Sequence, residues 1–245
     1  MSELVFIGTS DAFGAGGRRQ SAMLLRAPAG GVLIDCGATT SGGLAELGIS
    51  RDEIDTILVS HFHGDHFAGI PFLLLGALYE DQRTQPLWIA GPVGIEARVH
   101  ALAAAMGYAI EDREWSFPIR FAELHPGRER EIGPVWVDAF EVFHQPQTAP
   151  HGLALRCGGR RLVYSGDTGY FPNFPELVGD ADLFVCECTY FDNDYAYHIS
   201  HRSPCEHRGE FRCGRTILTH LGEEMLSHRG RAAFETADDG LRVRF

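Results

Sequence analysis

No segment of the chain offers about 18 consecutive apolar residues, so no membrane span is expected. The N-terminus lacks a positively charged region ahead of a long apolar run, and no secretory signal is read there. Without a leader, six cysteines in 245 residues point to reduced thiols and not to a disulfide framework. The expected compartment is the cytoplasm. Basic side chains are in deficit, 21 against 33 acidic ones, for a formal net charge of −12. That excess repels polyanions at long range and argues against broad nucleic-acid binding, although bound divalent metals reverse the potential locally. Pro/Ser-rich linkers, charge blocks, low-complexity stretches and fixed-period repeats are also missing. A single domain over residues 1–245 is therefore expected, and a 44% hydrophobic composition is enough to build its core.

Short apolar runs alternate with turn signals and helical spacings. Leu4–Ile7, Ser21–Arg26, Gly31–Asp35 and Ile54–Ser60 read as strands, with a short helix at Ser41–Leu47 stopped by Gly48. Helices are expected over Ala68–Glu80 and Gly94–Met106, with a strand at Leu87–Ala90 between them. Residues 117–155 read as strands joined by turns, followed by strands at Leu162–Tyr164, Leu183–Cys186 and Thr216–Thr219. Leu241–Phe245 reads as an edge strand. Intermixed strands and helices, with antiparallel hairpins among them, predict an α/β (α+β) architecture of sheets packed between helices.

The most informative segment is Ser60-His61-Phe62-His63-Gly64-Asp65-His66. In an extended chain His61 and His63 project to one side, because side chains alternate with a period of two. Gly64 is expected to allow a sharp turn that brings Asp65 and His66 back into the same space. Four ligand-type side chains within six residues crowd a single ion and divide more naturally between two. Imidazole and carboxylate donors suit zinc or a similar transition metal. His144, Asp167 and His220 each follow an apolar strand, where open α/β sheets present their sites.

These residues resemble the metallo-β-lactamase superfamily, whose signature reads His-x-His-x-Asp-His. Gly8–Ala12, Leu33–Gly37 and Ser165–Thr168 look like family segments in the expected order. The resemblance implies a four-layer αββα sandwich with a binuclear site at one edge of two sheets. It places His61, His63 and His144 on one metal and Asp65, His66 and His220 on the other, with Asp167 bridging. A hydroxide between the ions would be the nucleophile, and the metals would be Zn, with Mn or Fe as substitutes. A flavodiiron protein would have Glu in place of His63. A glyoxalase-II-like thioesterase carries a helical domain where only 25 residues follow His220.

The ribonuclease Z and phosphodiesterase branch is the better match. Cys186-Glu187-Cys188-Thr189-Tyr190 and Tyr197-His198-Ile199-Ser200 resemble its Glu and His-Ser/Thr segments. The resemblance makes Glu187 and His198 a pair near the scissile phosphate: Glu187 steadies His198, which stabilises new charge or protonates the leaving oxygen. Asp65 would orient the nucleophile or accept its proton. Between Gly107 and His144 only 36 residues stand, unlike the arm that clamps transfer RNA. That departure and the acidic charge argue against folded transfer RNA as a partner and for small phosphodiesters. The alternatives are another ester, a thioester or a lactone as substrate, or a non-catalytic scaffold. A homodimer is common among similar proteins.

Weaker features receive ordinary readings. Cys205, His207 and Cys213, with His201 nearby, match no common structural zinc spacing and are read as helix residues. Cys186 and Cys188 are read as packing thiols. The stretch Gly14–Arg19 either cradles a phosphate or is a flexible loop beside the site.

Overall fold

In a computed structural model, the structure describes residues 2–193 and 195–245; Met1 and Asp194 lie outside it. Fourteen strands are formed among the described residues. The first six are β1 (Glu3–Gly8), β2 (Ala22–Ala27), β3 (Gly30–Ile34), β4 (Thr56–Leu58), β5 (Leu87–Gly91) and β6 (Ile119–Glu123). The next eight are β7 (Arg130–Ile132), β8 (Val135–Glu141), β9 (His151–Cys157), β10 (Arg160–Tyr164), β11 (Leu183–Glu187), β12 (Arg215–Thr219), β13 (Glu235–Thr236) and β14 (Arg242–Arg244). The helices are α1 (Thr40–Glu46), α2 (Gly64–Phe67), α3 (Ile70–Tyr79), α4 (Ile95–Ala105), α5 (Phe174–Val178), α6 (Arg202–Glu206) and α7 (Glu223–Ser227).

The strands divide into two seven-stranded mixed sheets, ordered β14-β1-β2-β3-β4-β5-β6 and β13-β12-β11-β10-β9-β8-β7. In each sheet a run of antiparallel pairs gives way to parallel ones, at β3–β4 in the first and β10–β11 in the second. Period-two side chains explain the packing. Leu4 and Phe6 of β1 point to the inner core, which they share with Leu153, Tyr164 and Val185 of the second sheet. Val5 and Ile7 point the other way, onto Leu44 of α1, Leu73 of α3 and Val99 of α4. The outer face of the second sheet, including Val163, Phe184 and Leu218, is covered by Phe174 of α5 and Met225 of α7. Strands buried on both faces read as continuous apolar runs, so Leu4–Ile7 shows no alternation in sequence. The result is the αββα sandwich.

Most expected elements form within two residues of their read boundaries, and β14 is the edge strand foreseen at the C-terminus. Three details differ. Gly64 makes no left-handed turn; it opens the single helical turn α2, and His63 precedes it in extended backbone. Helical geometry therefore turns Asp65 and His66 inward, and the expected helix from residue 68 begins only at Ile70. Cys213 lies in a loop before β12 and outside α6. No described helix is long and apolar enough to cross a membrane.

Candidate metal centre

Loops leaving the C-terminal ends of strands in both sheets meet at one edge. From the first sheet, β4 leads into His61, His63 and α2, which carries Asp65 and His66. From the second, β8 leads to His144, β10 to Asp167, β11 to Glu187 and β12 to His220. Two local features make this convergence possible. A Cβ on Gly37 would lie 2.0 Å from the Asp65 carbonyl oxygen, so only glycine lets that backbone approach α2. Gly166 has φ +59°, and a Cβ there would lie 2.4 Å from the His151 carbonyl oxygen.

One donor set comprises His61, His63, His144 and Asp167, and a second comprises Asp65, His66, Asp167 and His220. Asp167 belongs to both. His61 Nε2 and His144 Nε2 each lie 3.1 Å from His63 Nδ1, and His61 Nε2 is 3.7 Å from Asp167 Oδ2. His66 Nε2 lies 3.1 Å from Asp65 Oδ2 and 3.4 Å from Asp167 Oδ2. His220 Nε2 stands 3.5 Å and 3.4 Å from the same two oxygens. Ligand atoms held at about 2.0–2.1 Å by one tetrahedral ion are separated by about 3.3–3.4 Å, so the donor spacing fits a divalent transition metal. His66 Nε2, His220 Nε2 and Asp167 Oδ1 are buried, and no hydrogen bond satisfies them. Buried polar atoms are rarely left so, and a cation would supply the missing partner.

The outward nitrogens are fixed by a second ring of contacts. His66 Nδ1–H donates to Asp35 Oδ2 at 2.7 Å, and His144 Nδ1–H donates to the Tyr197 carbonyl at 2.8 Å. Ser60 Oγ gives its proton to Asp35 Oδ2, so it accepts from His61 Nδ1 at 3.0 Å. Thr189 Oγ1 stands 2.9 Å from His220 Nδ1 and 3.2 Å from Glu187 Oε2, accepting from the first and donating to the second. Each contact assigns the tautomer that leaves Nε2 facing the centre.

Asp35 and Thr189 fall within family-like segments of the sequence that mark no site role for them. Asp35 carries the same signal as the donors, since it follows the apolar strand β3 directly. It and His220 have φ near +59° and +55°, an uncommon conformation for a residue with a side chain, held here by the surrounding contacts.

Burial, the dominant influence, holds His61 well below the usual histidine range and lowers His144 as well. For His220 burial acts downward too, but Asp167 and then Asp65 outweigh it and lift the ring to about 9. An ion bound between the same groups displaces that proton.

Glu187 is fully buried and held by four donors: Thr168 N, His198 Nδ1, Thr189 N and Thr189 Oγ1. With His198 and His220 it forms a third group of metal-type donors, but each of its oxygens already accepts two hydrogen bonds. His198 Nδ1 donates to Glu187 Oε1 at 2.9 Å, which leaves Nε2 outside that bond. Burial lowers this histidine, and Glu187 more than compensates, so its pKa is raised. Asp65, Asp167, His198 and His220 open into a cavity of about 720 Å³ whose wall also includes Phe13, Tyr190 and Tyr195.

The Gly14–Arg19 stretch, read as either a phosphate cradle or a flexible loop, is tied down by contacts within the protein. Arg18 pairs with Asp238, Arg19 pairs with Glu46, and Gly16 N donates to Glu223 Oε1. Cys186 and Cys188 pack in the outer core of the second sheet. Among the described residues, no metal-type donor set forms around Cys205, His207 and Cys213.

The family model for anti-Pycsar protein Apyc1 matches residues 2–237. Ribonuclease Z of Methanothermobacter thermautotrophicus is 36% identical over 302 aligned residues, covering 99% of this chain and 96% of that protein. Ribonuclease Z of Lachnoclostridium phytofermentans is 35% identical, covering 79% and 77%. Among solved structures, human tRNase Z, short form, has a TM-score of 0.78 at 25% identity, covering 99% of this chain and 98% of that one. The metallo-β-lactamase fold protein YhfI from Bacillus subtilis has a TM-score of 0.79 at 21% identity over the full length of both chains, a likeness of fold.

These relatives correct one expectation. Folded transfer RNA was disfavoured on net charge and on the short 107–144 interval. Relatives that match nearly the whole chain are nonetheless named ribonuclease Z, and a structural neighbour is named tRNase Z. Net charge describes the long-range field of the whole molecule and does not decide what a metal-bearing cleft accepts. With fold, donor sets and relatives in agreement, the chain belongs to the anti-Pycsar protein Apyc1 family, within the ribonuclease Z and phosphodiesterase branch of the metallo-β-lactamase superfamily.

Proposed function

We propose that the protein is a phosphodiesterase that works with two divalent ions, Zn²⁺ or in its place Mn²⁺ or Fe, and cleaves small phosphodiesters. One observation carries this reading: two His/Asp donor sets share Asp167 and lie beside a histidine oriented by a buried glutamate. His61, His63 and His144 would hold one ion, Asp65, His66 and His220 the other, and Asp167 both. When bound, such ions supply Lewis acidity toward phosphoryl oxygens and a water acidic enough to act as nucleophile near neutral pH. Asp65, at the cavity wall, orients the attacking water and accepts its proton. His198, charged and steadied by Glu187, stabilises developing negative charge and donates a proton to the leaving oxygen. All seven donor positions are filled, which favours an enzyme over a non-catalytic scaffold of the same fold.

The ribonuclease Z relatives favour a second reading of the same chemistry, in which the diester belongs to a transfer-RNA precursor. The test is turnover of bis(p-nitrophenyl) phosphate beside a transfer-RNA precursor, an aryl ester, a thioester and a lactone, with protein reconstituted in Zn²⁺ and in Mn²⁺. Metal-dependent cleavage of a phosphodiester is expected, abolished in Asp65→Ala and sharply reduced in His198→Ala. Turnover of carboxylic substrates alone would overturn the phosphodiesterase reading. Full turnover by His198→Ala would remove the proton donor from it.

A further inference from the structure

The alternation that builds the inner core breaks at one end of the second sheet. On β8 and β9 the directly opposed pairs Val137–Leu155 and Ala139–Leu153 fill the inner face between the sheets. The next pair on that face is Glu141–His151. Two polar side chains therefore stand where period-two packing calls for a further apolar pair. His151 is 8% exposed, and no hydrogen bond satisfies its buried Nδ1. Burial, with His125 adding to it, holds the ring down at about 4, so it is neutral near pH 7. A buried polar group without a partner inside the protein points to one from outside it.

Both side chains line a cavity of about 470 Å³, which shares no lining residue with the cavity over the donor sets. His144 is the one residue of the donor sets that borders it. Its remaining walls are largely apolar or aromatic. The rings of Phe143, 54% exposed, and Tyr197 lie 30° apart in plane with 5.9 Å between centroids. Pro126, Pro146 and Pro150 add apolar surface and bring no N–H. Among the described residues no lysine or arginine lines the cavity. A carboxylate, a neutral imidazole and aromatic faces all attract a cation, and no positive side chain is there to hold an anion.

We propose that this cavity is a second ligand site, for a small organic molecule that carries a primary ammonium group on an apolar body. The ammonium donates to Glu141 and His151, and the body packs against Phe143, Tyr197 and the prolines. An ammonium supplies donors only, which matches two acceptors set side by side on the same face of a sheet. The site is independent of the phosphodiesterase reading, and no step of that reaction is assigned to it.

The test is isothermal titration of the metal-loaded protein at pH 7 with benzylammonium, benzyl alcohol and phenylacetate. Benzylammonium is expected to bind saturably, one molecule per chain, and at least about tenfold more tightly than either of the others. Glu141→Gln should weaken it at least about fivefold, and His151→Leu, which extends the apolar face, at least about threefold. Phe143→Ala should weaken it about twofold or more, and Phe143→Trp should preserve it. Absence of saturable benzylammonium binding, or equal or tighter binding of the alcohol or of phenylacetate, would overturn the ammonium assignment. Unchanged benzylammonium affinity in both Glu141→Gln and His151→Leu would place the amine elsewhere on the protein and overturn the site.

Discussion

Asp35→Asn isolates the contribution of a buried carboxylate that touches no reacting group. The wild-type carboxylate is fully buried and receives four hydrogen bonds. Oδ1 accepts from Ser60 N at 2.8 Å, and Oδ2 accepts from Ser60 Oγ, His66 Nδ1 and Tyr164 Oη at 2.9, 2.7 and 3.1 Å. Asparagine matches the shape and tolerates the φ of 59° at this position. It cannot match the chemistry, because its NH₂ must face at least one of these donors. Turning the amide oxygen toward the three donors leaves Ser60 N–H opposed, a loss of about 1–3 kcal/mol. His66 also loses the charge that orients its ring, a change of about 10–100-fold in metal affinity, or about 1.4–2.8 kcal/mol. The assay is competition with a chromophoric chelator, together with thermal unfolding of the metal-free protein. Weaker metal binding and a lower metal-free Tm are both expected. Metal affinity within about twofold of wild type, with the Tm lowered, would show that His66 is positioned without Asp35 and refute the reasoning.

Thr189→Val keeps the shape but removes the hydroxyl that links His220 to Glu187; turnover should fall about 10–100-fold and Thr189→Ser should restore most of it. Gly166→Ala puts a methyl against the His151 carbonyl in a left-handed conformation, so stability should fall by about 1–3 kcal/mol in denaturant titration, with metal binding weakened through Asp167. Asp238 is held below the ordinary carboxylate range chiefly by its hydrogen bond to Arg229, with Arg18 adding to it. A depressed folded-state pKa stabilises above the unfolded-state value and loses that contribution as pH falls through the folded one. Asp238→Asn should therefore lower Tm at neutral pH, less so in high salt, and the difference should vanish in strong acid.

The sandwich and the convergence of donors were legible because both follow from short-range pattern. Apolar runs doubly buried in a sheet stand out, and His61, His144, Asp167 and His220 each sit just beyond one. Signals that depend on chain segments far apart were not legible. Asp35 meets Tyr164 across a separation of 129 positions, so its role as the support of His66 has no local mark beyond its place after β3. The arginines of the Gly14–Arg19 loop looked free to meet a phosphate, yet their carboxylate partners, Glu46 and Asp238, come from opposite ends of the chain. Gly64 invited a glycine turn, while the real device is a helical turn available to any residue.

The donors are contributed by both sheets, and this has a mechanical consequence. On the proposed metal assignment, an ion held by His66 from one sheet and His220 from the other would act as a rivet across the seam between them. Ligand occupancy at a thousand times Kd adds about 4 kcal/mol to the resistance of a fold to unfolding. The same linkage runs in reverse. A cavity opened deep in the seam, at Leu58 or Val185 for instance, would let the sheets shift and loosen the rivet without any change at the centre. Metal affinity would then be a strain gauge for the interior, able to register packing faults far from the atoms that bind the ion.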